Sequence, residues 1–503
     1  MAHTVPAKDV AERGKTFQAM LGQSYMQLAS KDYKGAAVTL RAIIADPKFA
    51  SEPGKARLSA YYLLSQALYQ TGDTEGSYTV LLQGGDALPE QRDGQYWMVR
   101  AAQAFGLQKT EDAADSLAEG VKTAPQFLTA FGEGGDDLVR DVTGKAFALK
   151  GGGAHALGLM EALWAAHYRP QNAFKADDIL WFHLFELYAA KGEDDKAKTV
   201  LASLHQPRSV IALRADKRYA RFVADGPGKG DFMLTLTQYL DETRALAAAN
   251  PTKLEGVVTL ASRLVEANQA QQAMDVLDAA GARIEAAPKD KPAFDDIDMQ
   301  MNWVLDARAE ALLLLGKSNG EDSQKAVVDA QKQANDIAQA KGFDVVSQRI
   351  NLADIFFQHN ENQKAADLLA DIDLTQASPY GIMAAQEARV CAYSGLGDKT
   401  NATKALDYMK AHAGDSEKLL RAALLCSGDL DGLANLLIAN LDDPVTRNAT
   451  LIQLQNYLPD KNPSTFLQQE NKKAREVWGR PDVQTAVARY GVIDTYPVIA
   501  PFN

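Results

Sequence analysis

The sequence predicts an all-α fold built from stacked antiparallel helical hairpins, and three observations lead to this prediction. A chain of 503 residues exceeds the size of roughly 250–300 residues at which a single hydrophobic core stops growing. Its composition, with 46% hydrophobic and 23% charged residues, is that of a folded chain. A helix–turn–helix pattern also recurs along nearly the whole length, which favours an elongated array of repeats.

The segment WFHLFELYAAKGEDDKAKTVL at 181–201 shows the repeating unit. Leu184 and Leu187 are spaced as on one face of an amphipathic helix. Gly192 follows, and glycine commonly ends a helix because it adopts the left-handed backbone conformation without steric cost. The acidic run after it suits the start of a second helix, which carries Ala197 and Leu201. The segment therefore predicts a helical hairpin.

This pattern occurs ten times, and in each copy a small or apolar marker residue lies near the start of the second helix. Most successive markers are 31 to 43 residues apart, as from Ala36 to Ser77 (41) and from Ala402 to Leu433 (31). One interval of 76 leaves room for a degenerate hairpin. Such a period is typical of stacked helical hairpins. The markers are Ala36, Ser77, Ala113, Ala156, Ala197, Ala273, Ala326, Ala365, Ala402 and Leu433.

On these features the chain resembles the tetratricopeptide-repeat (TPR) proteins over nearly its full length. The shared features are the small residue, a large apolar residue four positions later, a Gly or Asn turn, and closing sequences such as ADP at 45–47 and ANP at 249–251. The period is less regular than in that family, and the early aromatic of the first helix is often missing. The resemblance implies a TPR-like α-solenoid, a right-handed superhelix whose concave face binds a protein or peptide partner.

Three stretches are similar to uncharacterised bacterial envelope proteins of this repeat class. They are WVLDARAEALLLLG (303–316), SQRINLADIFF (347–357) and SPYGIMAAQEA (378–388). The resemblance brings no biochemical activity with it, but it implies a place in a bacterial envelope assembly. With a leader presumed removed, the expected location is the periplasm, and the alternative is the cytoplasm.

Changes in composition divide the chain into four predicted parts. Residues 1–204 form an N-terminal repeat array, and residues 233–478 form a C-terminal one. Between them, residues 205–232 are basic and rich in Pro and Gly, which predicts an irregular joint. Residues 479–503 are predicted to form a capping helix and an extended tail.

The apolar tail residues Tyr496, Val498 and Phe502 have two interpretations. They either pack onto the array or insert into a partner. We expect packing, because the terminal repeat of an array needs a cap over its apolar face.

Two cysteines are present, and their contexts differ. Cys391 lies six residues before Gly397, and Cys426 lies two residues before Gly428. We therefore expect them on different faces of successive helices, as two buried free thiols, with one disulfide as the alternative.

An aromatic-rich segment is the candidate binding site. Trp181, Phe185 and Tyr188 share one helix face by their spacing, which indicates core packing between hairpins. Alternatively they line a groove, since aromatic rings with a polar edge anchor peptides or glycans. Phe182 and His183 fall off that face and are candidates for pointing into the concave surface. The candidate site consists of Trp164, Trp181, Phe182, His183, Phe185 and Tyr188.

The sequence lacks the clamp by which chaperone-docking TPR proteins hold a C-terminal carboxylate. That clamp uses Asn, Lys and Arg on the first helices of successive repeats. The matching positions here, six residues before each turn, are Gln66, Ala102, Lys145, Glu186, Ser262, Asp354 and Cys391. The resemblance therefore does not extend to carboxylate binding.

No catalytic, metal or cofactor motif stands out. The seven histidines show no metal-ligand spacing, and the GPGKGD stretch at 226–231 lacks the Lys-Ser/Thr pair of a phosphate loop. We expect no catalysis, no metal and no cofactor. The leading hypothesis is a scaffold for a protein or peptide partner, and the alternative is a small molecule, lipid or glycan bound in an aromatic-lined pocket near residues 164–188.

The charge narrows the class of partner. The formal net charge is −12, from 53 basic and 65 acidic residues, whereas a nucleic-acid-binding protein would carry a basic stripe. The longest apolar run, ALLLLG at 311–316, is far shorter than the ~20 residues of a transmembrane helix. We therefore expect neither nucleic-acid binding nor a membrane span, and the sequence indicates no oligomeric state.

Overall fold

The fold is known from a computed structural model. It describes residues 7–499 except 127, 129–131, 150–152, 176–177, 225–229, 289–290, 317–320, 342–344, 376 and 460–462, and it leaves aside the side chains of 7–15, 133 and 321–324. Within the described residues the chain forms 26 α-helices and no β-strand. The predicted all-α fold class is confirmed.

Contacts within the chain group it into two compact units, Met1–Val200 and Leu201–Asn503. The boundary lies four residues before the predicted end of the first array at 204. The helices of the first unit, the last of which ends at the boundary, are α1 (Ala7–Ala29), α2 (Tyr33–Ala45), α3 (Gly54–Gln70), α4 (Thr74–Ala87), α5 (Gly94–Gly106), α6 (Thr110–Thr123), α7 (Glu133–Ala148), α8 (Gly153–Ala165), α9 (Asp178–Lys191) and α10 (Asp194–Leu201).

The second unit contains the remaining helices. They are α11 (Pro207–Ala215), α12 (Ala220–Val223), α13 (Phe232–Ala249), α14 (Leu254–Glu266), α15 (Ala270–Ala286), α16 (Ile297–Leu314), α17 (Glu321–Lys341), α18 (Val345–Gln358), α19 (Asn362–Ala370), α20 (Pro379–Leu396), α21 (Lys399–Ala411), α22 (Glu417–Ser427), α23 (Leu430–Asp442), α24 (Arg447–Gln453), α25 (Thr465–Trp478) and α26 (Pro481–Tyr490).

In both units, helices adjacent in sequence pack as hairpins, and hairpins pack on their neighbours. In the first unit α1 packs on α2, α3 on α4, and α5 on α6. In the second unit α16 packs on α17, α18 on α19, and α20 on α21. This stacking is a TPR-like helical-repeat fold. No described helix is both long enough and apolar enough to cross a membrane.

The hairpin turn fixes the register of its two helices. A residue with left-handed backbone ends the first helix five positions before the buried marker, as Gly72 (φ 86°) does for Ser77. The next residue, Asp73, caps the second helix, and its side chain accepts a hydrogen bond from the Gly76 N–H at 2.9 Å. This five-residue offset holds after the left-handed residues Lys31, Gly72, Gln108, Gly192, Asn268, Asn360, Gly397 and Gly428.

One marker is wrong by one residue. Nine of the ten markers are buried, but Ala326 is exposed and the neighbouring Val327 is fully buried in its place. The left-handed residue before this second helix is Gly316, ten positions ahead of Ala326 rather than five. The longer connection shifts the register, so the interval count along the sequence fails here.

The predicted joint is largely helical and belongs to the second unit. It contains α11, in which Val210 and Ile211 are fully buried, and the short α12. It is therefore not an irregular segment over the part that the structure describes, and its residues 225–229 lie outside that part.

The C-terminal segment caps the second unit. The last helix begins at Pro481, as predicted, and the tail that follows buries Tyr496 and Val498. The Leu458 N–H donates to the Val498 carbonyl at 2.8 Å, and the Tyr496 N–H donates to the Asn456 carbonyl at 2.8 Å. These contacts support packing of the tail on the array, and Phe502 lies outside the described residues.

Gly72 and Gly22 provide a matched test of the turn geometry. No neighbouring atom lies within 4 Å of the place a Cβ would take at either residue. Only Gly72 is left-handed, so Gly72→Ala is expected to destabilise the first unit by about 1–2 kcal/mol. Gly22 lies inside α1, where Gly22→Ala is expected to stabilise by roughly 0.5–1 kcal/mol. Denaturant unfolding of the full chain measures both, and effects of the same sign would contradict the role assigned to the turn.

Candidate partner-binding face

The predicted aromatic residues are mostly packed inside the first unit. Trp181 and Phe185 are at most 2% exposed, and Phe182 and Tyr188 are also buried. Trp164 meets Trp181 edge to face with ring centroids 5.0 Å apart. The structure therefore favours the core-packing interpretation for these rings, and Phe182 is buried instead of lying on an open surface.

The polar edges of this cluster have partners within the unit. The Tyr188 hydroxyl donates to Glu161 Oε1 at 3.0 Å. The His183 ring stacks on Phe147 at 3.9 Å, and its Nδ1 lies 3.0 Å from Glu186 Oε2. Contact of a partner with this segment stays a prediction, but the groups that would recognise a partner are already engaged.

In the second unit, the first helices of successive hairpins form one continuous surface, which we call the first-helix face. It consists of α14, α16, α18, α20 and α22. Contacts join α14 to α16, α18 to α20 and α20 to α22. Between α16 and α18, the Asn351 Nδ2 donates to Asp306 Oδ1 at 3.0 Å.

Groups from the start, middle and end of the second unit converge near the first-helix face. Near the ends of the unit, α11 packs on α24, and the Ile499 N–H donates to the carbonyl of Glu266 at 3.1 Å. Burial, followed by the charges of Arg208 on α11 and Arg421 on α22, lowers the pKa of Lys418. Helices far apart in sequence thus bring their charges within electrostatic reach of each other.

Four carboxyl groups on α16, α18 and α20 each lie within electrostatic reach of at least one other of the four. Although the Glu310 side chain is exposed at the surface, loss of water around its carboxyl group raises the pKa of Glu310 to about 7. The charges of Asp306 and Glu266 raise it further, against the opposing effect of Lys418. Burial also raises the pKa of Asp306 to about 6, against the hydrogen bond from Asn351. Neighbouring carboxyl groups on this face therefore raise one another's pKa.

The two innermost carboxyl groups are Asp354 and Glu387. Burial, together with the charges of Glu387 and Asp306, raises the pKa of Asp354 well above its usual range. Burial and then the charge of Glu470 raise the pKa of Glu387 to about 8. No described Lys or Arg lies within ion-pair distance of Asp306, Glu310, Asp354 or Glu387.

Asp354 and Glu387 also lack hydrogen-bond donors. The Asp354 Oδ1 is inaccessible to solvent and has no partner. Glu387 is 8% exposed, and its Oε1 lies 3.3 Å from the Cys391 Sγ. This sulfur belongs to a disulfide and carries no hydrogen to donate. A buried polar group without a partner lowers the free energy of unfolding by about 1–3 kcal/mol. Asp354 and Glu387 are therefore expected to destabilise the folded protein.

The disulfide joins Cys391 on α20 to Cys426 on α22, with Cα atoms 4.9 Å apart. The prediction of two free thiols on different faces is wrong. The two cysteines lie six and two residues before the left-handed Gly397 and Gly428, and the difference of four residues is about one helical turn. They therefore lie on the same face of neighbouring first helices, staggered by one turn.

The only described group of three side chains with metal-ligand atoms close together includes the same cysteines. Ligand atoms of Glu387, Cys391 and Cys426 lie within 4.8 Å of one another. Both sulfurs are committed to the disulfide, so they offer no thiolate, which is the form that binds metal.

A pocket of about 270 Å³ lies at the start of α13, and none of its lining residues belongs to the predicted aromatic site. Leu204, His205, Leu234 and Gln238 are among its lining residues. Part of the adjacent loop, 225–229, lies outside the described residues, so no chemistry is assigned to this pocket.

Comparison with known proteins identifies no family for this chain. No family model matches the chain, and no curated protein matches it significantly. Among solved structures, a chain of Naa15/Naa10 bound to HypK-THB is 14% identical, covers 94% of this chain and 92% of that chain, and has a TM-score of 0.27. A Rap protein complexed with Competence and Sporulation Factor is 12% identical, covers 92% of this chain and 98% of that chain, and has a TM-score of 0.30. At such TM-scores neither likeness carries an argument.

The sequence reasoning named one member of the carboxylate group and missed the others. Asp354 appears among the positions six residues before a turn, but only as evidence against a clamp. Glu310 stands six residues before Gly316, and Glu387 and Asp306 stand one helical turn further back. A search for like charges at these positions on successive first helices would have found all four.

The buried carboxyl groups predict a stability that falls as the pH rises. The pKa of Glu387 is higher in the folded state than in the unfolded state, so the folded state binds the proton more tightly. The stability that this proton contributes is lost as the pH rises from about 4.5 through about 8. We expect the thermal midpoint of the wild type to fall between pH 6 and pH 9. Glu387→Gln is expected to fall less and to be more stable at pH 9, by about 1–3 kcal/mol.

Glu285→Gln is the control for this experiment, because Glu285 is exposed on α15 in the same unit. It removes the same charge without touching the first-helix face. If Glu387→Gln and Glu285→Gln follow the same curve from pH 6 to pH 9, Glu387 is not held neutral by its surroundings.

Proposed function

We propose that this protein is a non-catalytic helical-repeat scaffold that binds a protein or peptide segment along the first-helix face of its second unit. The observation that carries the proposal is a surface on which charged groups from several first helices meet, some of them buried and some exposed. Glu310 and Lys418 are exposed there, and the Tyr380 side chain at the start of α20 is 56% exposed. Extended surfaces of this kind are what stacked repeats offer to partners.

The dimensions of the face favour a polypeptide over a compact ligand. Neighbouring packed helices have axes roughly 8–10 Å apart, so the stretch from α16 to α20 spans about 20 Å. An extended chain covers this length with about six residues at ~3.3 Å per residue. Most aromatic rings near 164–188 are buried. An aromatic-lined pocket there would therefore offer a ligand no comparable exposed surface.

The proposal extends to location. We propose that the protein works in an oxidising compartment, as part of a bacterial envelope assembly in the periplasm. The Cys391–Cys426 disulfide supports this, because disulfides persist in the periplasm and are rare in the cytosol. The net charge of −12 supports a protein rather than a nucleic-acid partner.

A displayed library of random peptides tests the binding proposal with the full chain as bait. Peptides of about ten residues span roughly 33 Å when extended, enough to cross the face. We expect the wild type to enrich a set of peptides and Tyr380→Ala to weaken their binding about tenfold, since exposed aromatic residues in a groove act as anchors.

Tyr69→Ala is the matched control, because Tyr69 is 54% exposed but lies on α3 of the first unit. It removes an equally exposed tyrosine and should leave peptide binding unchanged. Enrichment of no peptide, or equal losses in both variants, would refute binding at the first-helix face.

The location can be tested by the redox state of the cysteines in the native host. Cells are quenched in acid, and the protein is treated with an alkylating reagent before and after reduction. In an oxidising compartment we expect both cysteines to react only after reduction, because they are joined in the disulfide. Alkylation of both cysteines without reduction would place the protein in a reducing compartment.

A further inference from the structure

The carboxylates of the first-helix face specify the charge of the partner. We propose that the partner segment presents lysine or arginine side chains, which are held by Asp354 and Glu387 at the bottom of the face and by Asp306 and Glu310 beside them. This inference rests on the proposed function and deepens it by naming the chemistry of the partner. It is opposite in polarity to a clamp for a C-terminal carboxylate.

The two inner carboxyl groups have no charged or hydrogen-bonding partner among the described residues. Glu387 is more than nine-tenths buried, and its nearest polar contact is a disulfide sulfur that has no hydrogen. Asp354 Oδ1 is closed to solvent and has no donor either. A cationic side chain brings several N–H donors and a compensating charge at once, so it would satisfy both groups.

The spacing of the carboxylate oxygens excludes a calcium ion, which is the simplest competing ligand. A bound calcium ion draws six to eight oxygens to about 2.3–2.6 Å from one point. Among the described residues, the carboxylate oxygens of α16, α18 and α20 do not form a group of three within metal-binding distance of one another. Carboxylates spread over successive helices instead match charges spread along an extended chain.

The aromatic ring of Tyr380 lies near these carboxyl groups. Tyr380 is 56% exposed, and the charges of Asp354 and Glu387 both act on it. An exposed ring next to carboxylates suits a lysine or arginine, whose cationic head can lie over the ring face while it pairs with the acid. The charge of Lys418 on α22 already lowers the pKa of Glu310. The basic side chains of the partner should therefore lie nearest α18 and α20.

The test measures the binding of three labelled peptides to the full chain by fluorescence anisotropy. Each has about ten residues, roughly 33 Å when extended, and they alternate glycine with lysine, glutamine or glutamate. The lysine peptide should bind, the glutamate peptide should not, and added salt should weaken binding. Asp354→Asn replaces a buried carboxyl group that has no partner in the described part of the chain, and the variant should fold. It is expected to reduce affinity for the lysine peptide about tenfold or more, because an amide cannot ionise to pair with lysine.

Two variants complete the test. Glu310→Lys reverses the charge at an exposed position and should weaken the lysine peptide further than Asp354→Asn does. Asp407→Asn is the control, because Asp407 is an exposed carboxylate on α21, a second helix of the same unit. It should leave affinity unchanged, whereas a loss equal to that of Asp354→Asn would reveal nonspecific attraction to an acidic protein and overturn the inference.

The outcomes separate the two proposals. If library peptides bind in a Tyr380-dependent way but the lysine peptide binds no better than the glutamine one, the scaffold function stands and this inference falls. If no library peptide binds, both fall. If calcium alone raises the thermal midpoint of the wild type but not of Asp354→Asn, and the lysine peptide does not bind, the carboxylates form a cation site and the inference is overturned.

Discussion

The close crossing of the two helices in each hairpin is the constraint on which the rest of the structure depends. A residue with left-handed backbone reverses the chain, and five positions later a buried small or apolar residue lies at the crossing. A single hairpin cannot cover its own apolar surface, so it packs on the next one. Because the offset is the same in most hairpins, equivalent positions on successive first helices come to lie side by side.

This repetition explains why like charges accumulate on one surface. Asp354 and Glu310 occupy the same position relative to their turns, so stacking brings them to one face whether or not their charges attract. The apolar hairpin seams keep the stack together while the carboxyl groups oppose it. Groups that lower stability in the free protein and persist without partners are typical of binding sites, where function rather than stability selects the residue.

The fold was largely predictable, because its signals are local. Gly397 and Gly428 end helices in the conformation for which glycine is suited, and Asn268 and Asn360 do so with the next most tolerant side chain. Lys31 and Gln108 take the same conformation without any such signal, since the packing of the flanking helices imposes it. The shifted register at Ala326 shows the complementary failure, in which an unusual connection length is invisible to a count of intervals.

The site was harder to predict, because it depends on contacts between repeats rather than within one. Aromatic composition pointed to the 164–188 segment, yet large rings are also the best material for filling seams between helices, and that is where they lie. The cysteines show that the prediction lacked the alignment between neighbouring first helices. Once the turns fix the register, offsets of six and two residues place Cys391 and Cys426 on one face, one helical turn apart. The same register places Glu387 one turn before Cys391, beside Asp354, so the carboxylate pair and the disulfide are consequences of a single alignment of first helices.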